Sequence, residues 1–122
     1  MSLPVRLSEL VALVLGDLSV GAPATPAVSC SPLDEGWVEV LLTDEDGMGV
    51  GFGVDPALPE AEILRALADR IPDAYVELYA TGLPLVPGTQ RPARADIVDG
   101  VAVWTDPAGE GWSCPVGRYG TA

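Results

Sequence analysis

The chain contains no histidine, no lysine and no asparagine. Without histidine there is no imidazole base, which excludes Ser-His and Cys-His nucleophile pairs. Two well-separated cysteines, Cys30 and Cys114, cannot assemble the usual zinc ligand sets without histidine. Without lysine there is no GxxxxGK[ST] phosphate loop, and no GxGxxG follows a strand. Basic residues are scarce: six arginines face 18 acids, for a formal charge of −12. Such a surface repels nucleic-acid phosphate and suits a basic protein partner. No apolar run reaches the 18–20 residues of a membrane helix. Arg6 followed by LSELVALVLGDLSV is faintly like a signal peptide, but Glu9 and Asp17 interrupt its apolar part, so a cytoplasmic protein is expected. The missing residue types also fit a GC-rich coding sequence.

What is present suffices for a core. The 122 residues are 48% hydrophobic, which is one domain's worth. Three parts are expected: an N-terminal helical unit (1–18), a Pro/Ala-rich connector (19–36) and an α+β core (37–119).

The chain is organised around residues 59–79, PEAEILRALADRIPDAYVELY. Ile63, Leu64, Leu67, Ala68 and Ile71 fall at helical spacing, continued by Tyr75, Leu78 and Tyr79. Pro59 suits a first helical position, and Glu60 and Glu62 suit the positive end of the helix dipole. Pro72 leaves two readings. One is a helix kinked at Pro72 and running to Tyr79. The other stops near Ile71 and makes 74–80 a strand. The continuing apolar face favours the kinked helix.

Before it, Leu7, Leu10, Val11, Val14 and Leu18 predict a helix over about 5–16. Residues 19–36 hold three prolines and show no period, so they read as a connector that Val28, Cys30 and Leu33 could anchor. Trp37–Thr43 reads as a strand, DEDG as a turn, and Met48–Val54 as the return strand. Met48, Val50, Phe52 and Val54 share one face of that strand, and glycines occupy the other. A strand face without side chains admits close approach by a helix, partner or ligand. After the central segment comes a Pro/Gly loop (81–92). A hairpin follows, Arg94–Val98 with Val101–Thr105 across Asp99-Gly100, and Trp112–Gly117 can add a third strand. The sequence leaves open whether Cys30 and Cys114 pair.

Leu67–Arg118 resembles small uncharacterised proteins of high-GC Gram-positive bacteria, through LADRIPDAYVELY, GLPLVPG, IVDG, VAVW, Pro107 and the Val116-Gly117 pair. In those relatives the middle loop carries Cys-Pro and His-x-His-Pro elements. Here it reads LVPGTQRP, so the ligand-type residues are replaced. The resemblance implies no known activity and favours helix over 74–79. The order hairpin, helix, then AYVELYATGLPLVPG is similar to the ubiquitin-like β-grasp. That likeness implies a binding module, with 78–85 as strand–turn–strand. A terminal Gly-Gly is missing, so it does not extend to a conjugated modifier.

The expected fold is therefore α+β: an N-terminal helix, a β-hairpin, a Pro-kinked central helix and a C-terminal hairpin or three-strand meander, with β-grasp as the alternative. The expected role is a non-catalytic, acidic protein-binding module of accessory, adaptor or inhibitor/immunity type, with no metal or cofactor. The candidate contact residues are Trp112, the hairpin tip Asp44, Glu45 and Asp46, and the glycines Gly49, Gly51 and Gly53. Three carboxylates on one tip can bind a cation weakly, but the tip lacks the D-x-D-x-D-G frame of a calcium loop and reads as a solvated turn. Two alternatives remain. One is a subunit of a larger assembly such as a phage or cellular particle, with 19–36 as a strap and self-association as its mark. The other is a small-molecule binder or enzyme with a pocket under the Gly-rich strand.

Overall fold

The computed structural model describes residues 3–20, 22–109 and 111–119, with side chains from Arg6 onward. Helix α1 (Leu3–Leu18) precedes strands β1 (Ala27–Pro32), β2 (Val38–Thr43) and β3 (Gly49–Val54). Helix α2 (Glu60–Tyr79) follows, then β4 (Arg94–Val98), β5 (Val101–Thr105) and β6 (Ser113–Pro115). The strands form two antiparallel three-stranded sheets, β1-β2-β3 and β4-β5-β6. The fold is α+β.

Helix α2 is the centre of the packing. It touches α1 and strands β2 to β5, and so reaches both sheets. Pro59 precedes it with an extended backbone, and Glu60 and Glu62 occupy its first turn. The helix continues unbroken through Pro72, and the strand alternative for 74–80 does not occur. Ile63, Leu67, Ala68, Ile71, Ala74 and Tyr75 form its buried face. Leu67 and Ile71 are wholly covered, each worth roughly 1.5–3 kcal/mol of apolar burial. That face, extending on both sides of the proline, outweighs the one backbone bond Pro72 removes. The helix ends at Ala80, which takes a left-handed conformation (φ 55°) and donates its N–H to the Val76 carbonyl at 2.8 Å.

Helix α1 is longer than the apolar period predicts. Its buried stripe is Leu7, Leu10, Val11, Val14 and Leu18, with Asp17 on the same side.

Strand β1 corrects the reading of 19–36 as a plain connector. Ala27–Pro32 pairs along the whole of β2, from Ala27 opposite Thr43 to Pro32 opposite Val38. Its sequence AVSCSP has no strong period because it is an edge strand held by backbone bonds, with only Val28 and Cys30 half-buried.

In the second sheet the β4–β5 turn is Asp99 (φ 53°) and Gly100 (φ 78°), the pair of positive φ values a type I′ hairpin requires. The stretch 78–85, strand–turn–strand in the β-grasp likeness, is helix to Tyr79 and then loop, with an isolated bridge between Leu85 and Pro92. The loop is pinned by the buried side chains of Leu83 and Val86 and by the Tyr119 hydroxyl donating to the Leu85 carbonyl. No described helix is long and apolar enough to cross a membrane.

Candidate protein-docking face

The candidate contact residues divide between the two sheets. Asp44, Glu45, Asp46 and the three glycines belong to the β2–β3 hairpin, whereas Trp112 lies beside β6.

Trp112 is not the exposed aromatic. It is partly buried against the core, edge-on to Tyr119 with ring centroids 6.2 Å apart. Trp37 stands out instead at 45% exposed, with Leu33 beside it at 46% and Met48 at 60%. Sequence reasoning missed this pair, since Trp37 counted only as the first residue of a strand. A short 3₁₀ turn over Asp34–Gly36 brings Leu33 and Trp37 together, closed by Leu33 N donating to Trp37 O at 2.7 Å.

The glycine strand explains the shape of this face. Along the outer side of the sheet, Glu39, Leu41 and Thr43 of β2 stand opposite Gly53, Gly51 and Gly49. With no Cβ in the way, the β2 side chains lean across β3. A Cβ on Gly49 would lie 3.2 Å from Leu41 Cδ1, one on Gly51 would lie 3.0 Å from Glu39 Oε2, and one on Gly53 would lie 3.3 Å from Trp37 Cε3. What approaches the bare strand is therefore its own neighbour. The other side of β3 turns Phe52 and Val54 into the core, and the Arg70 guanidinium sits 5.7 Å from the Phe52 ring centre.

The acidic tip is partly structural. Asp44 Oδ1 accepts from Asp46 N and from Met48 N, both at 2.9 Å, so this carboxylate holds the turn. Glu45 and Asp46 are exposed. Among the described residues no group of three or more Asp, Glu, Cys or His is placed to hold a metal ion.

From residue 7 to residue 64 the chain has no basic side chain. Asp34, Glu35, Glu39, Asp44, Glu45 and Asp46 therefore give the outer side of the first sheet and its turns a negative field. Arg70 of α2 reaches this sheet from the inner side, at Phe52. Arg6 pairs with Glu9 (3.1 Å) and Glu60, and Arg91 pairs with Asp106 at 2.9 Å. The Glu60 and Glu9 carboxylates raise the Arg6 pKa further above its ordinary value.

Two grooves flank α2. One, of about 250 Å³, is lined by Asp69, Pro72 and Asp73 of α2 with Leu83, Pro92 and Arg94. The other, of about 310 Å³, lies between Glu60, Ala61 and Leu64 of α2, the Gly100–Ala102 turn and Pro115–Val116. Neither lies under the Gly-rich strand. Both cysteines are free thiols, one in each sheet. No protein-family model, curated protein or solved structure matches this chain.

Proposed function

We propose that this protein is a non-catalytic binding module, an accessory, adaptor or inhibitor-type protein, that docks a basic protein partner on the outer face of β1-β2-β3. The observation that carries the reading is the half-exposed Leu33–Trp37 pair lying over Gly53 within an all-acidic stretch of chain. An exposed tryptophan beside a second large apolar side chain is the usual kind of interface anchor. A rim of one charge sign steers an oppositely charged partner and sets its specificity. The same field disfavours nucleic-acid phosphate. Two free thiols fit a reducing compartment, the cytoplasm.

The test is to identify proteins retained from cytoplasmic extract by the wild-type chain but not by Trp37→Ala, and to reconstitute the purified pair. Trp37→Ala should weaken the reconstituted complex by about 30-fold or more, as for a central aromatic anchor. Glu39→Arg should weaken it and flatten its salt dependence. Equal retention by wild type and Trp37→Ala, or nothing retained at low salt, would refute the reading.

A further inference from the structure

The hydrogen-bond phase of the first sheet is fixed at its ends. Asp44 N donates to Met48 O at 2.9 Å, so 44 and 48 are a bonded pair. The register pairs Leu42 with Val50, Val40 with Phe52 and Val38 with Val54. Bonded and non-bonded pairs alternate in antiparallel sheets, so these three pairs carry the β2–β3 bonds. The backbone N–H and C=O of Gly49, Gly51 and Gly53 consequently point away from β2. β3 is the outermost strand on that side, and these groups have no partner among the described residues.

The other sheet edges are blunted. β1 is flanked by Pro26 and ends in Pro32, with α1 alongside. On β4 the Asp96 carboxylate takes up the outward Ile97 N–H at 2.8 Å. β6 is three residues long. Proline, charge and shortness are the ordinary protections of a sheet edge. The β3 edge is six residues long, with no proline and no charged side chain of its own, and α2 packs against the strand.

We propose that β3 accepts an extended basic segment of the partner as a fourth strand of this sheet. The proposal rests on the protein-binding reading above and specifies its mode. Main-chain bonds to the three glycines supply the attachment, as in β-strand addition generally. Charge selects the occupant. Because β3 lacks side chains on its outer face, the Glu39 carboxylate leans over Gly51, toward the open edge. Asp44, Glu45 and Asp46 stand at the end of the strand. An added strand that alternates Lys or Arg with apolar residues sets its cations on this side, next to Glu39 and the Trp37 ring. A second copy would bring the same carboxylates together, so the field that attracts a basic strand opposes self-pairing.

The probe is an end-blocked peptide of about eight alternating Lys and Val residues, long enough to span the edge. Amide exchange is followed by NMR on the whole protein. Without peptide, the Gly49, Gly51 and Gly53 amides exchange freely while Val50 and Phe52 are protected. With saturating peptide, all three glycine amides slow by about tenfold or more, and salt reverses the effect. The same peptide N-methylated at alternate residues binds at least about tenfold more weakly, as expected when main-chain bonds are lost. Gly51→Pro, which removes an outward N–H and no bond to β2, weakens binding similarly, whereas Gly51→Ala keeps it. If Gly51→Pro does not fold, the N-methylated peptide makes the same comparison on the wild-type chain. Binding that is lost in Trp37→Ala but leaves the glycine amides unprotected overturns strand addition and leaves the docking face standing. No glycine protection at millimolar peptide overturns strand addition. Concentration-dependent protection without peptide assigns the edge to a second copy and also overturns it.

Discussion

Asp17 and Trp104, 87 positions apart in the chain, meet across 2.7 Å, with the indole Nε1–H donating to the carboxylate Oδ2. The same oxygen accepts from Gly117 N at 2.6 Å, and Oδ1 accepts from Tyr119 N at 3.1 Å. One carboxylate thus ties α1 to β5 and to the chain after β6. Asp17 is 2% exposed and Trp104 fully covered, so water cannot replace a lost partner. Asp17→Ala strands one buried donor, Trp104 Nε1, and two half-buried ones, Gly117 N and Tyr119 N, and should cost about 2–4 kcal/mol. Trp104→Phe removes one of them and should cost about 1–2 kcal/mol. Urea unfolding measures both. The double variant should cost clearly less than the sum, since the two changes delete the same bond. Strict additivity would contradict the role assigned to this pair.

That pair also marks what the sequence conceals. An acid inside an apolar run reads locally as an interruption, and nothing near Asp17 announces partners 87 to 102 positions away. The helices were legible because their apolar periods are long, and in α2 the period continues past Pro72. The β4–β5 hairpin was legible because Asp99-Gly100 has a specific backbone demand. β1 was not, because an edge strand of Ala, Ser, Cys and Pro is held by its neighbour's backbone and leaves little side-chain pattern. The alternating glycines disclosed a bare strand face but not its cover, which is the long side chains of the adjacent strand. Trp37 and Trp112 both sit beside turns. Only tertiary packing decides that Trp112 rests on Tyr119 while Trp37 stays half outside.

Two glycines should respond oppositely to alanine. Gly16 lies within α1 and an added Cβ meets nothing within 4 Å. Gly16→Ala should stabilise the protein by about 0.5–1 kcal/mol, because alanine loses less backbone freedom in a helix. At Gly82 the added Cβ would fall 2.8 Å from Pro92 Cγ, on a ring that cannot swing aside. Gly82→Ala should cost about 1–3 kcal/mol through forced backbone movement. Thermal melts should move by roughly 3–5 °C per kcal/mol for a domain of this size. Shifts of the same sign would contradict the packing described around one of the two.

The thiols should differ in reactivity. Burial pushes the Cys114 thiol up from its ordinary pKa, and the Asp17 carboxylate adds to the rise. Less thiolate and less access both slow its attack on a disulfide reagent. Cys30 is half-buried on the edge strand β1, with Sγ 3.9 Å from the Ser8 hydroxyl. Native titration with an aromatic disulfide should show a fast and a slow thiol, about tenfold or more apart. Cys30→Ser should remove the fast phase and Cys114→Ser the slow one. Equal rates in the wild-type chain would contradict the burial of Cys114.

Acid should expose the contribution of Asp106. Arg91 grips its carboxylate with both arms, Nε to Oδ1 at 3.2 Å and Nη2 to Oδ2 at 2.9 Å, and Ala108 N adds a bond to Oδ1 at 2.9 Å. The Arg91 guanidinium first, then the Ala108 N–H, hold the Asp106 pKa below its ordinary 3.8. A carboxyl lowered on folding stabilises the native state fully at pH values above its unfolded pKa. As pH falls through that value the unfolded chain takes up the proton first, and the contribution drains away until the native group is protonated too. The difference in urea midpoint between wild type and Asp106→Asn should therefore be flat from neutral pH down to about 5, then shrink below about 4. Arg91→Met should erase that pH dependence, because it removes the main cause of the lowered pKa. A wild-type advantage that grows toward acid, or that persists unchanged after Arg91→Met, would show that the ion pair does not set the ionisation of Asp106.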